Sequence, residues 1–237
     1  MPDYMPQMPH GEISEIFDDV FFVTGTVKPT FNDTPFQFSR NMTIVREGGD
    51  LTLINTVRLD DAGLAKLESL GKVSHIVKLG SHGIDDRFYL DRYSPKQWAL
   101  AGHTHSGGQP TDEELAVDGA APFTGGSVFV FETTKAPEGV LRIDREGGIL
   151  VSCDSLQNFA EVDQYFDEPT SKMMMAGGFI CPANVGPGWL RAADPQASDF
   201  HRLEQLPFKH LLPGHGTPLL GEAKEQLGAT FARIFPA

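Results

Sequence analysis

Only two cysteines, Cys153 and Cys181, occur in 237 residues, too few for a disulfide framework. Basic residues are also scarce: 19 Lys and Arg stand against 32 Asp and Glu, a formal charge of -13. Phosphate backbones and anionic membranes are recognised by basic surfaces, so neither nucleic acid nor membrane is expected as a partner. The acidity is read first as a solubility feature. No run approaches the roughly 18 apolar residues that cross a bilayer. Met1-Pro2-Asp3-Tyr4 lacks the basic segment and apolar stretch of a signal peptide, and a cytoplasmic protein is the expectation. Two catalytic signatures are absent as well: there is no Gly-x-Ser-x-Gly elbow and no Gly-Lys-Ser/Thr phosphate loop.

What is present suits a globular protein: 40% apolar residues, 17 phenylalanines, and length enough for one core. Residues 1–19 are polar and aperiodic and read as an N-terminal arm or leading hairpin; residues 20–237 read as a single domain. Val20 to Thr24 is rich in β-formers. Asn41 to Val45 and Leu51 to Asn55 flank the turn residues Glu47-Gly48-Gly49-Asp50, a hairpin signal. Residues 61–70 carry Leu64, Leu67 and Leu70 on one face, with Asp60 as N-cap and Gly71 as stop, and predict a helix. Val73 to Leu79, interrupted by His75, and Gln97 to Ala101 read as buried strands. A helix beginning near Asp85 or Asp86 lies between them and implies a right-handed parallel crossover.

After a polar loop, strands are expected at 127–131, 140–143 and 148–152, helical fragments across 168–197, and a short strand at 209–212. A final helix has Thr217 as N-cap, Pro218 at its first position, and Leu220, Ala223, Leu227, Phe231 and Ile234 as its apolar stripe. Two packed sheets with helices outside, a four-layer αββα sandwich of the α/β (α+β) class, accommodate this order.

Three segments that each follow a predicted strand carry metal-binding residue types: Ser81-His82-Gly83-Ile84-Asp85-Asp86-Arg87, Cys153-Asp154-Ser155 and Pro213-Gly214-His215-Gly216. A hydrolytic metal site needs His and carboxylate ligands that converge on one point and leave a position for water. Loops at one edge of a sheet can supply them. In this order the segments resemble the metal sites of the metallo-β-lactamase fold, whose first motif reads His-x-His-x-Asp-His. The resemblance spans roughly residues 20–235. It implies that His82, Asp86, Asp154 and His215 occupy ligand positions, while Ile84 and Arg87 stand where histidines belong. The middle histidine of the family falls near Glu138, the only ligand-type side chain there, and Asn55 replaces a structural Asp. One metal position keeps His82 alone and the other keeps Asp86, Asp154 and His215. The resemblance therefore implies at most one divalent ion, zinc, manganese or iron. Asp86, Arg87 and His215 are the implied catalytic residues, and a small-molecule ligand or substrate the implied partner.

Arg87 has two readings. Its guanidinium can neutralise Asp86 and Asp154 in place of an ion, or it can pair with Asp91 on a helix surface. His103 and His105, in Gly102-His103-Thr104-His105-Ser106-Gly107-Gly108, have the spacing of a chelating pair, but also suit a polar loop with exposed imidazoles. Cys153 is expected to point away from the pocket by strand alternation and to be buried and inert. His75 is expected to be a satisfied core residue. Three functions stay open: a one-metal hydrolase-like enzyme, a metal-free relative that binds a ligand in the old cleft, and metal-independent acid–base chemistry at His82 or His215.

Overall fold

The computed structural model describes residues 4–31, 33–105 and 108–236. The first half of the chain builds a seven-stranded sheet from Ser14–Phe17 (β1), Val20–Val27 (β2), Phe38–Glu47 (β3), Asp50–Ile54 (β4), Lys72–Lys78 (β5), Lys96–Leu100 (β6) and Glu113–Leu115 (β7), adjacent in that order. β1 to β4 pair antiparallel, and β4 to β7 pair parallel. β1 lies within the segment read as an arm and forms the edge of this sheet. Gly48 and Gly49, with φ of 59° and 99°, close β3 onto β4 between the paired Glu47 and Asp50. A two-residue hairpin favours positive φ at both central positions, which glycine adopts without a Cβ clash.

The second half adds Gly126–Val130 (β8), Gly139–Ile143 (β9), Ile149–Val151 (β10) and His210–Leu212 (β11). β8, β9 and β10 are antiparallel neighbours, and β11 joins β10 in parallel. Among the described residues six helices cover the outside: Asp61–Leu70 (α1), Asp86–Tyr93 (α2), Glu168–Ala176 (α3), Pro187–Ala193 (α4), Ala197–Gln205 (α5) and Ala223–Ile234 (α6).

The period of two along each strand divides the core into three apolar layers. Val20 and Phe22 face the second sheet and meet Leu141, Ile143 and Val151. Phe21 and Val23 face the opposite way, onto Leu64 and Leu67 of α1 and Tyr89 of α2. On the far side Val140, Leu150 and Leu211 meet Trp189, Phe200 and Phe231 of α4, α5 and α6. Helices, sheet, sheet and helices make the expected four layers. Helix α1 also has its expected start, with the Asp60 carboxylate accepting from Gly63 N at 2.8 Å.

The last helix starts later than its sequence signals predict. Leu219 exchanges backbone hydrogen bonds of 2.8 and 2.9 Å with Leu211, so the chain after Thr217-Pro218 extends the second sheet. Gly221 then turns the chain, and α6 begins at Ala223. Leu220 is left exposed, and the buried stripe is carried by Ala223, Leu227 and Phe231. A strand partner outweighs the local helix-starting preference of proline. Among the described residues, no helix is long and apolar enough to cross a membrane.

Candidate functional site

The parallel register of β10 and β11 creates the site. Val151 pairs with Leu212, so Asp154 and His215, at equal distances beyond these residues, emerge side by side. His82 reaches the same point from the exit of β5. Its Nε2 lies 2.9 Å from His215 Nε2 and 3.3 Å from Asp154 Oδ1, and His215 Nε2 lies 3.1 Å from the same oxygen. The two imidazoles stand edge to face at 84°. Asp154, with 24% of its side chain exposed, opens this cluster to solvent, whereas both histidines are more deeply set.

Strand β3 of the first sheet clamps the His215 loop. Asn41 Nδ2 donates to Pro213 O and Gly216 O at 2.9 and 2.6 Å, and Asn41 N donates to Gly214 O at 2.9 Å. Phe159 stacks on the His215 ring and Phe38 packs beside it. Asn55, where the family has a structural Asp, joins the two sheets by donating to Ser152 O at 2.8 Å. In this way the first sheet positions ligands that the second sheet presents.

The proton positions follow from the partners. His215 Nδ1 lies 2.9 Å from Ser39 O, which can only accept, so Nδ1 is assigned the proton. Nε2 is then the ring nitrogen that faces Asp154, where it binds either a proton or a cation. Burial opposes the Asp154 carboxylate, but the charge of His82 and hydrogen bonds from both histidines overcome it and hold the group well below the usual carboxylate range. Burial lowers the His82 pKa, with Asp154 acting against it.

These three atoms fit a divalent ion. A tetrahedral ion with bonds of about 2.1 Å spaces its donors roughly 3.4 Å apart, close to the observed separations. The backbone carbonyl on His215 Nδ1 is the kind of contact that orients metal-binding histidines. A hollow of about 500 Å³ lined by Phe22, Thr24, Tyr165, Gly216 and Thr217 lies beside the loop, though none of the three donors lines it.

The other expected site residues are dispersed. Asp86 is buried and turns Oδ1 to Thr56 Oγ1 at 2.6 Å; among the described residues no hydrogen bond or ion pair joins it to the three donors. Arg87 pairs with Asp91 across one helical turn, at 3.6 Å, both side chains are about 40% exposed, and among the described residues no ion pair joins Arg87 to Asp86 or Asp154. Glu138 is buried and accepts from Ser155 N; burial, followed by the nearby Asp154 charge, raises its pKa well above the carboxylate range. His105 bridges Gln97 Nε2 and Thr111 Oγ1 at 2.7 and 2.8 Å, a loop-fixing role. His103 is partly buried, and burial together with the Lys78 charge brings its pKa down to about 4. Ser106 and Gly107 of that loop lie outside the described residues. His75 accepts from Trp98 Nε1 at 3.0 Å.

Cys153 corrects an expectation. Alternation holds only within β10, which ends at Val151, so the Cys153 thiol is free to turn inward. Its Sγ and ligand atoms of His82 and Asp154 all lie within 4.8 Å of one another. Burial, with Asp154 and Glu138 nearby, pushes the thiol pKa up. Three polar residues escaped sequence reasoning. Lys78, inside an apolar strand, donates to His82 O at 2.6 Å. Arg40 forms a buried ion pair with Asp85, which also accepts from Arg58 N at 2.7 Å. The Asp85 carboxylate therefore leaves α2 without a side-chain cap.

Two predictions follow from these placements. Arg87→Ala should change stability by less than about 0.5 kcal/mol, as exposed helical pairs do, and leave metal affinity unaltered. Chemical denaturation and zinc titration check both parts. For Asp86, burial raises the pKa from 3.8 to about 6, opposed by Thr56 and Lys78. A carboxyl with a raised folded pKa adds stability that is complete below pH 3.8 and is lost as pH rises through about 6. In the metal-free protein Asp86→Asn should remove that slope and add up to about 3 kcal/mol at pH 8, as urea unfolding from pH 4 to 8 would reveal.

No family model matches the chain, and no curated protein matches it. Solved structures do. DIM-1 metallo-β-lactamase superposes with a TM-score of 0.63 at 13% identity, covering 97% of this chain and 99% of its own. FIM-1 metallo-β-lactamase from Pseudomonas aeruginosa, in a mono-zinc form, gives 0.62 at 14% identity, with 97% and 98% covered. A metallo-β-lactamase from Hirschia baltica gives 0.59 at 15% identity, with 95% and 98% covered. With superposition over nearly the whole of both chains, the chain has the metallo-β-lactamase fold.

Proposed function

We propose that the protein is a hydrolase-like enzyme that holds one divalent ion on His82, Asp154 and His215 and acts on a small molecule. The observation that carries this reading is the convergence of three donor atoms, His82 Nε2, His215 Nε2 and Asp154 Oδ1, 2.9 to 3.3 Å apart. Ser39 O accepts from His215 Nδ1, so Nε2 is the ring nitrogen available to an ion. When bound, the ion supplies Lewis acidity toward a carbonyl or phosphoryl oxygen and activates water. The chain itself orients the ligands through Asn41, Ser39 and Phe159, and leaves the Asp154 side accessible to a substrate. The formal charge of -13 favours small neutral or weakly charged substrates over polyanions. The mono-zinc form of FIM-1 supports the one-ion reading by precedent within the fold.

Elemental analysis of untagged protein after exposure to zinc, manganese and iron tests the proposal. About one equivalent is expected, with turnover of small esters or phosphodiesters that a chelator removes and the ion restores. Less than about 0.2 equivalents of every metal contradicts it.

A further inference from the structure

Lys78 is buried at the end of β5, an unusual setting for an ammonium group. Its Nζ donates to His82 O at 2.6 Å. A methyl carbon added at Gly83 would lie 3.0 Å from this Nζ and 2.2 Å from Asp86 Oδ2, so the ammonium and the carboxylate flank one point. Asp86 Oδ2 is buried and has no hydrogen-bond partner, and His103 Nε2 is in the same condition. The Lys78 charge acts on Asp86, His103 and Cys153 alike. A cation thus already sits against a backbone carbonyl and beside the point that the Asp86 carboxylate flanks, both groups that bind metals. An ammonium is a compact point charge with three donors, and it cannot share a position with a divalent ion.

We propose that Lys78 is a built-in cation that takes the place of a second ion beside Asp86 and holds the centre to a single metal. This deepens the one-ion reading and rests on it for the first ion only. It also gives Asp86 a role outside the three-donor cluster, as the carboxylate on the far side of the point that Lys78 flanks.

The test is a difference in zinc content. Wild-type protein, Lys78→Ala, Lys78→Met and Lys78→Arg are exposed to excess zinc, desalted and analysed. The alanine and methionine variants should each carry one equivalent more than wild type, and the arginine variant the same as wild type. Adding Asp86→Asn to Lys78→Met should remove the extra equivalent. The proposal is overturned if neither neutral variant gains zinc, or if wild type already holds two equivalents, a test that needs no variant to fold. A wild type with no zinc and a Lys78→Met with one equivalent refutes the one-ion reading alone. One equivalent in both refutes the role of Lys78 alone.

Discussion

His215→Ala is expected to weaken zinc binding by at least about a hundredfold. Loss of a residue that merely orients a ligand costs 10- to 100-fold in affinity, and His215 is placed as a ligand itself. Its Nε2 is common to the two shortest separations in the cluster, 2.9 Å to His82 and 3.1 Å to Asp154. Removing it leaves two donors of the three, His82 and Asp154. Because His215 also packs on Phe159 and Phe38, circular dichroism must confirm that the variant is folded. Competition with a chromogenic chelator then measures the affinity. An unchanged value in a folded variant would place the ion elsewhere.

The second large effect is on stability. Arg40→Ala should destabilise the protein by about 3–5 kcal/mol, because breaking a buried ion pair strands the remaining charge away from water. Arg40 and Asp85 are both almost wholly buried, and among the described residues the amide of Arg58 is the one other hydrogen-bond partner of the carboxylate. Arg40→Met combined with Asp85→Asn should recover most of the loss, since neither residue is then charged. Urea denaturation at pH 7 reads both values. A loss below about 1 kcal/mol for Arg40→Ala, the range of exposed pairs, would mean that the pair is solvated. The pair also matters to the site: Arg40 lies between Ser39 and Asn41, which hold His215, and Asp85 lies in the loop that carries His82. Weakening it should therefore loosen the metal cluster as well.

Much of the architecture is legible in the sequence because it rests on local signals. The β-formers of Val20 to Thr24 and the Gly48-Gly49 turn mark the first hairpins, and Asp60 and Gly71 bracket α1. The three strand exits bearing His82, Asp154 and His215 are local too, and the structure joins them. What escaped depends on distance or on context. Arg40 finds its partner 45 residues away, which no spacing rule anticipates. Lys78 is hidden in an apolar strand, where its polarity resembles an ordinary interruption. Cys153 turns inward because the strand has ended, and α6 is delayed because Leu219 finds Leu211. Arg87, by contrast, obeys the simplest local rule, pairing with Asp91 four residues on.

His82, His215 and Asp154 converge on one point in space. A crystal soaked in zinc and measured at the zinc absorption edge tests most directly whether an ion binds there. The prediction is a single anomalous peak about 2.0–2.2 Å from His82 Nε2, His215 Nε2 and an oxygen of Asp154, with Lys78 still against the His82 carbonyl. An absent peak there, or one lying beside Asp86 with Lys78 displaced, would contradict it.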